Sequence, residues 1–340
     1  MEFKPDFSLT NFSQMNKDEK FSLLLAMIQE NFINVVEFIV RSGDFLDHLD
    51  KYSGSPLITA LQQPVNLDML DLLLRYGAKV NPKSTWNGLY PLQLALRRKL
   101  PDLVIHFLLN FGAAVDKSSA DGQSVLMEAV KDRRSISIIR RLVAAGADVN
   151  VVETCGRERP LLMVAVETYA QSCAHSSTAS PGRRLHTVDG YSEAGLADES
   201  HQIGVMDSFE EIVSLLLSAN ADVNVTDNLE KTPLMSVIES DISQVRTVER
   251  FIQRGANVNA TDLHGNSPLL LALTTVSGSQ HRRQLRPFEK MVSVFLLLLG
   301  CGAVITRNDH RLDKFAGYLF EEAKLRGDLQ LCEKIVKQYR

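Results

Sequence analysis

A five-residue phrase returns along this chain at an interval close to 34 residues, and this period limits the possible fold more than any other feature. The glycines at positions 43, 77, 112 and 146 are 34, 35 and 34 residues apart. A fixed period of this length indicates stacked structural repeats, in which each unit contacts only its neighbours. The period therefore predicts an elongated solenoid whose function lies on its surface. The clearest copies are Gly77-Ala-Lys-Val-Asn81, Gly112-Ala-Ala-Val-Asp116 and Gly146-Ala-Asp-Val-Asn150, and related copies begin at Asn220, Gly255 and Gly302.

A second phrase, in which Ser or Thr precedes Pro and Leu, stands upstream of several of these markers. It occurs at Ser55, Thr232 and Ser267. The hydroxyl can accept from the free N–H groups of a first helical turn, and proline supplies the backbone angle that this turn needs. A second apolar segment follows and ends at the marker glycine, which can adopt the left-handed conformation that closes a helix. Each repeat is therefore predicted to be two helices followed by a polar connection.

This layout is that of the ankyrin repeat, and both phrases resemble the Thr-Pro-Leu-His and Gly-Ala-Asp-Val-Asn signatures of that family. The resemblance covers residues 19–337, which is nearly the whole chain. It implies an all-α ankyrin-repeat solenoid of helix–turn–helix units with β-hairpin loops that project sideways. The signature His is absent from every copy, with Gln93 in one of its places. We therefore expect a weaker polar network between repeats, for which apolar packing compensates.

We predict an N-terminal extension over residues 1–17 and one ankyrin-repeat domain over residues 18–340. Two insertions explain the wider spacing of the later markers, one over 171–207 and one over 276–287. The first is poor in large apolar residues, so we expect a disordered loop there. The predicted repeats are 18–50, 51–83, 84–118, 119–152, 153–226, 227–260 and 261–306, and the predicted cap is 307–340.

Composition and charge argue against several classes of partner. A formal net charge of -4 and a pI near 6.1 lack the clustered positive charge that nucleic acid binding uses. The longest apolar run, residues 291–299, is too short to span a bilayer, and the N-terminus lacks the apolar segment of a signal peptide. We expect no nucleic acid partner, no membrane insertion, a cytoplasmic location with the nucleus left open, and a monomer.

The sequence also lacks the motifs that carry catalysis or hold a cofactor. There is no phosphate-binding loop, no dinucleotide-binding glycine pattern, no metalloprotease motif and no nucleophile elbow. The four cysteines are widely spaced without a Cys-x-x-Cys pair, which is typical of reduced thiols and not of a metal site. We therefore expect a protein that is not an enzyme, that needs no cofactor and no metal, and that binds another protein.

The ankyrin resemblance implies that a partner binds to hairpin tips and to the exposed side of the inner helices, a concave surface. Aromatic side chains in the third hairpin are candidates, because Trp and Tyr dominate interface hot spots. Packing between hairpins is the alternative role for the single tryptophan. The predicted partner-binding residues are Tyr52, Trp86, Asn87, Tyr90, Arg97, Arg98, Lys131, Arg133, Arg157, Lys231 and His264. The central cations favour an acidic peptide, although cations near helix C-termini also offset the helix dipole.

Two other functions remain open at this stage, together with one modification site. Asp328-Leu-Gln-Leu-Cys-Glu-Lys-Ile335 resembles the elongin-binding start of a SOCS box, which implies a substrate-recognition subunit of a ubiquitin ligase. The same residues also fit the last helix of a repeat. Ser180, followed by Pro181, is a candidate for phosphorylation or for a docking motif, with a tolerated loop as the alternative. Four asparagines resemble the targets of an asparaginyl hydroxylase, namely Asn81, Asn150, Asn224 and Asn259.

Overall fold

Successive pairs of short helices joined by tight turns make up the described parts of this chain. The structure is a computed structural model, and it describes residues 12, 14–43, 46, 55–62, 64–82, 89–117, 122–154, 156–176, 209–240, 245–272, 285–304 and 324. Contacts between residues divide the chain into two units, residues 1–148 and 149–340. The sequence predicts one repeat domain, and the division falls inside the repeated phrase that begins at Gly146.

The first unit contains four described helix pairs. In each pair the first helix is the inner helix of a predicted repeat and the second is the outer helix. The pairs are α1 (Lys17–Gln29) with α2 (Ile33–Arg41), α3 (Pro56–Gln62) with α4 (Leu67–Arg75), α5 (Pro91–Arg97) with α6 (Asp102–Asn110), and α7 (Val125–Lys131) with α8 (Ile136–Ala144). Inner helices pack on inner helices and outer helices pack on outer helices, as α5 does on α7 and α6 on α8.

The second unit continues the pattern with longer helices at two places. Its helices are α9 (Leu161–Ser176), α10 (residues 209–218), α11 (Pro233–Glu239), α12 (Val245–Gln253), α13 (residues 268–272) and α14 (Leu285–Gly300). Helix α9 packs on α11, and α12 packs on α14. The all-α fold predicted from the sequence is confirmed, and the number of repeats stays a prediction.

Helix starts and ends follow the chemistry of the two recurring phrases. Ser55 Oγ accepts from the N–H of Ile58 at 3.2 Å, and Thr232 Oγ1 accepts from the N–H of Met235 at 3.4 Å. At the other end, Gly77 has φ 96° and the N–H of the next residue, Ala78, donates to the carbonyl of Leu73 at 2.9 Å. This is the closure in which a left-handed residue satisfies free carbonyls of the last turn. Both predicted capping roles are confirmed.

The two predicted insertions overlap with helices at their edges. Helix α9 continues to Ser176, six residues into the segment 171–207 that was predicted to be a disordered loop. The sequence there contains Ala170, Gln171 and Ala174, which are strong helix formers, so the helix does not end at residue 170. Residues 177–207 lie outside the described residues. Helix α14 begins at Leu285 and so includes the last three residues of the second insertion, 276–287.

The inner helices form most of the core. In α5 every residue from Pro91 to Leu96 is buried, including Gln93, which has 0% of its surface exposed. Gln93 is satisfied at both ends, because its side-chain oxygen accepts from the N–H of Tyr90 at 3.1 Å and its amide donates to the carbonyl of Lys117 at 2.9 Å. A buried amide that makes both bonds does not weaken the core. At this position the signature His is therefore replaced by another polar connection, not by an apolar contact.

Candidate functional site

One of the four predicted binding residues between positions 52 and 90 lies among the described residues. Tyr52, Trp86 and Asn87, as well as the candidate phosphorylation site Ser180, lie outside the described residues. Tyr90 is half-buried and is the N-cap residue of α5. The bond from its N–H to Gln93 gives Tyr90 a role in starting this helix. Its aromatic ring is not fully exposed for a partner.

In the first unit, acidic residues of the following repeat reach two cations at the end of inner helix α5. Arg97 Nε donates to Glu128, and Lys99 Nζ lies 3.6 Å from Asp132. These contacts neutralise part of the positive charge predicted at the end of α5. Lys131 is half-buried and Arg133 is exposed. The surface therefore carries mixed charge, and it is less basic than the sequence alone predicts.

Two arginines connect consecutive inner helices through backbone carbonyls. Arg98 Nη1 donates to the carbonyl of Gln62, the last residue of α3. Arg134 donates to the carbonyls of Leu100 at 3.0 Å and Leu96 at 3.2 Å, and only 11% of its side chain is exposed. A cation at the C-terminal carbonyls of a helix stabilises that end. The predicted binding residue Arg98 thus has a structural role as well, whereas no sequence signal distinguishes Arg134 from the other arginines.

Four charged residues adopt a backbone conformation that suits glycine. Among the described residues that are not glycine, six have positive φ, and two of these are asparagines, which tolerate it. The other four are Lys99 (φ 53°), Arg133 (52°), Glu158 (54°) and Glu230 (58°). All four are exposed. A left-handed residue with a long side chain costs about 1–2 kcal/mol, so the fold alone does not favour these side chains.

Lys99 and Arg133 occupy the same place in consecutive repeats of the first unit. Each lies two residues after the end of an inner helix, in the turn that leads to the outer helix. The backbone N–H of Lys99 donates to the carbonyl of Leu96 at 2.9 Å, and that of Arg133 donates to the carbonyl of Val130 at 3.1 Å. These bonds fix the turn. The two cations therefore leave the surface from equivalent positions.

In the second unit, hairpin tips are joined by backbone hydrogen bonds. The N–H of Asn228 donates to the carbonyl of Arg157 at 3.0 Å, and the N–H of Leu263 donates to the carbonyl of Leu229 at 3.0 Å. The predicted binding residues Arg157 and His264 are exposed at these tips. The tips of three predicted repeats thus present their side chains in a fixed row.

At one equivalent position of two neighbouring hairpins, one hairpin has a charged residue and the other has glycine. Glu230 lies three residues after Asp227, and Gly265, with φ 74°, lies three residues after Asp262. The hairpins match because each aspartate accepts from backbone N–H groups two and four residues later. Glutamate therefore stands where the next hairpin has glycine. Beside it, Lys231 forms an ion pair with Glu239 at 2.7 Å.

Asp262 is the most strongly held carboxylate of these hairpins. Burial would raise its pKa, but the side chain of Asn266 and the backbone N–H groups of Asn266 and His264 outweigh burial and hold the pKa below its usual value. The three bonds measure 3.0, 2.8 and 2.9 Å. Hydrogen bonds to the charged form lower a carboxyl pKa in this way. The ionised side chain therefore shapes the tip that carries His264.

A second polar cluster was not predicted and supports the hairpin of residues 151–161. Arg159 donates to Glu153 at 2.8 Å and also to Glu167. The hydrogen bond to Glu153 raises the pKa of Arg159, against burial, and Glu167 adds to the rise. Residue 159 precedes Pro160, where other copies have a capping Ser or Thr. Its departure from the phrase was the available signal for this cluster.

The candidate hydroxylation asparagines bridge consecutive repeats. Asn81 Nδ2 donates to the carbonyl of Gly112 at 2.9 Å, and its Oδ1 accepts from the N–H of Ala114 at 2.8 Å. Asn150 Oδ1 accepts from the N–H of Asp222 at 2.8 Å. The same pair of hydrogen bonds recurs at two further asparagines. Asn224 makes it with Gly255 and Asn257, and Asn259 makes it with Gly302 and Val304.

The described residues contain neither a membrane-spanning helix nor a metal-binding cluster. No helix among them is long and apolar enough to cross a membrane. No cluster of three or more His, Cys, Asp or Glu side chains within this part of the chain could hold a metal ion. The expectation that this protein needs no metal or other cofactor stays a prediction.

Comparison with known proteins agrees with the repeat architecture. Residues 66–153 match a family model described as ankyrin repeats in three copies. A Fowlpox virus (strain NVSL) ankyrin repeat protein is 32% identical over 132 residues, which cover 38% of this chain and 38% of the viral protein. A second protein of that description and virus is 27% identical over 191 residues, or 54% of this chain and 93% of the relative.

A human relative and a solved structure extend the comparison. Ankyrin repeat and SOCS box protein 6 of Homo sapiens is 32% identical over 78 residues, which are 23% of this chain and 18% of that protein. The matches thus span well under half of the first viral relative and of this human one. The ankyrin repeat domain of Bcl-3 superimposes with a TM-score of 0.50 at 20% identity, covering 73% of this chain and 92% of that domain. At this identity the likeness concerns the fold alone.

Proposed function

Because this chain is an ankyrin-repeat protein, we propose that it is a non-enzymatic scaffold that holds a protein or peptide partner on the turns of its inner helices and on its hairpin tips. Ankyrin repeats are protein–protein interaction modules, and specificity in such arrays lies in the side chains of the exposed face. In the first unit these are the turns after α5 and α7. In the second unit they are the tips that carry Arg157, Lys231 and His264.

The observation that carries this proposal is the set of four strained, charged side chains. At Lys99, Arg133, Glu158 and Glu230 a glycine would fold more easily, yet each position carries a long exposed charge. Backbone strain of this kind is concentrated at functional sites. We therefore assign these four residues to partner recognition, the cations in the first unit and the carboxylates in the second. The partner would present carboxylates to the first pair and cations to the second.

Glycine substitutions test the proposal without endangering the fold. Replacing Lys99 and Arg133 by glycine removes both cations and relieves both backbones, and replacing Glu158 and Glu230 does the same for the acids. Affinity capture from a lysate of cells that express the chain should recover specific proteins with the wild type and lose them with at least one pair. Circular dichroism would show that all variants are folded. Unchanged capture by both variants would overturn the proposal.

The ubiquitin-ligase function remains as a second proposal, supported by the similarity to Ankyrin repeat and SOCS box protein 6. The segment 328–335, which resembles the start of a SOCS box, lies outside the described residues. If the chain recruits a ligase, elongins should co-purify with it, and truncation after residue 327 should abolish this. If partners are captured without elongins, the ligase proposal is wrong and only the scaffold proposal remains.

Asparaginyl hydroxylation is a further proposal, and it concerns modification rather than partner choice. Asn81, Asn150, Asn224 and Asn259 share one position of the repeat, and their side chains bridge repeats. A hydroxylase would therefore need local opening of the array to reach them. Intact mass of protein from cells with and without the hydroxylase should differ by one oxygen per modified residue. Equal masses would exclude the modification.

We also propose that the chain acts as a monomer in the cytoplasm, with the nucleus left open, and without a nucleic acid partner. A net charge of -4 and the mixed charge of the exposed turns support the exclusion of nucleic acid. Sedimentation at increasing concentration would show a single species of about the calculated 37.9 kDa.

A further inference from the structure

The ends of inner helices α5 and α7, with the turns that follow them, carry an excess of positive charge. Residues 97–102 and 128–134 contain six cations and three acids, in a chain whose formal net charge is -4. The cations are Arg97, Arg98, Lys99, Lys131, Arg133 and Arg134. Each of the three acids, Asp102, Glu128 and Asp132, already contacts one of these cations. The remaining charge therefore favours a partner that brings further negative charge.

Lys99 and Arg133 place part of this charge at repeated positions. Each is exposed, has positive φ and lies two residues after the end of its inner helix. The backbone hydrogen bonds of the two turns are equivalent as well, because each of these N–H groups donates to the carbonyl three residues earlier. The two Cβ atoms therefore leave the backbone in equivalent directions, one repeat apart.

Arg134 fixes the separation of these two turns. It follows Arg133 in the second turn, and its guanidinium donates at 3.0 Å to the carbonyl of Leu100, which follows Lys99 in the first turn. Only 11% of the Arg134 side chain is exposed, so this bridge is largely shielded from solvent. Helices α5 and α7 pack on each other, and the axes of packed helices are about 8–10 Å apart. We expect about the same distance between the positions of Lys99 and Arg133.

This spacing discriminates between the conformations in which a bound peptide could present two acids. A polyproline II peptide has about three residues per turn and rises about 3.1 Å per residue, so side chains three residues apart share a face at about 9.3 Å. Side chains on one face of a β-strand are about 6.7 or 13 Å apart. On one face of an α-helix they are about 6 or 10.5 Å apart. Of these, only the polyproline II spacing lies within the expected range.

We propose that the partner segment bound at these turns is an acidic peptide in the polyproline II conformation, with two acids three residues apart that face Lys99 and Arg133. This inference rests on the proposed function, which assigns both residues to partner recognition, and it adds the conformation and the charge pattern of the partner. Unbound chains already populate this conformation. A peptide of this kind therefore loses little conformational entropy when it binds.

Three synthetic peptides of about 15 residues, each with three glutamates, test the proposal with purified full-length chain. The first has its glutamates at every third position among prolines and alanines. The second has the same composition with consecutive glutamates, and the third is alanine-rich and helical with glutamates seven residues apart. Fluorescence polarisation at low salt should give the first peptide an affinity about fivefold higher than either of the others, the combined effect of two exposed ion pairs. Equal affinities, no binding, or tighter binding of another peptide would overturn the proposal.

Matched variants locate the binding. Replacing Lys99 and Arg133 together by glycine removes both cations at positions whose backbone suits glycine. In this variant the first peptide should bind no better than the second. The control replaces Arg75 and Arg140 by glutamine, which removes two exposed cations from outer helices α4 and α8 and should preserve the preference. A preference that survives in the glycine variant, or that disappears in the control, would contradict the proposal.

Affinity capture separates this inference from the function on which it rests. We expect both peptide preference and lysate capture to change in the glycine variant. If capture depends on Lys99 and Arg133 but the first peptide shows no preference, the polyproline II inference is wrong and the proposed function stands. If neither measurement depends on these residues, their assignment to partner recognition is wrong together with this inference. Circular dichroism would show that each variant is folded.

Discussion

Asp262 orders a hairpin tip with one carboxylate, and this makes it a site where protonation and stability are linked. The pKa is lower in the folded chain than in the unfolded chain, since three hydrogen bonds favour the charged form. Its contribution is therefore complete above the unfolded pKa of about 3.9 and is lost as the pH falls through the lower, folded value.

We expect Asp262→Ala to lower the free energy of unfolding by about 2 kcal/mol near neutral pH, because it removes the charged acceptor of the N–H groups of His264 and Asn266. The difference from wild type should shrink in acid, as the pH falls through the lowered pKa of the folded chain and the wild-type carboxylate is protonated as well. Urea denaturation at both pH values measures this. The exposed Asp116 serves as the control, and a pH-independent difference for Asp262→Ala would argue against the linkage.

Asn81 illustrates the bridging asparagines at the same scale. Its side chain makes two hydrogen bonds to the backbone of the following repeat, so Asn81→Ala should cost about 1–2 kcal/mol of stability. Asn228→Ala is the control, because this exposed side chain makes no hydrogen bond among the described residues. A thermal midpoint unchanged by Asn81→Ala would show that the bridge is dispensable.

The turns between inner and outer helices carry their own prediction. Arg133→Gly should raise the free energy of unfolding by about 1 kcal/mol, because glycine adopts φ near 52° without strain. Arg140→Gly, in the middle of α8, should lower it by about 1 kcal/mol instead. Chemical denaturation compares the two. A loss of stability with Arg133→Gly would mean that its side chain supports the fold, and its assignment to partner binding would then weaken.

Much of the element layout can be predicted from the sequence because local chemistry determines it. Capping by Ser55 and Thr232, and helix closure at Gly77, follow from interactions within a few residues. The site could be predicted only in part, since its charges are balanced by residues about thirty positions away. The contact of Arg97 with Glu128 is an example. The positive φ angles of Lys99 and Glu230 could not be predicted either, because neither Lys nor Glu is typical of the left-handed conformation.

The ends of long helices were harder to predict for a different reason. The helix continues to Ser176, past the point where the large apolar residues end, because Ala and Gln have a high intrinsic helix propensity. The exposure of Leu103 and Phe111 at α6 could not be predicted, because the apolar pattern alone indicates core residues at these positions. Exposure, which requires the packed neighbours, separates the two faces of that helix.

At the scale of the whole molecule, we propose that exposed turns and tips bind a partner while the helix packing serves as a scaffold. In a repeat array, binding at such positions should leave the inner helices unchanged, because each repeat is stabilised by its neighbours. Partner contact should therefore appear as local protection of those turns and tips.

Hydrogen exchange of the chain, alone and with a captured partner, tests this claim most directly. We predict slower exchange at the turns that hold Lys99 and Arg133, at the tips that hold Glu158 and Glu230, or at both, with the buried segments of α5 and α11 unaffected. The Lys99→Gly and Arg133→Gly variant should lose the protection in the first unit. Protection confined to the outer helices, or absent from every turn and tip, would contradict the account.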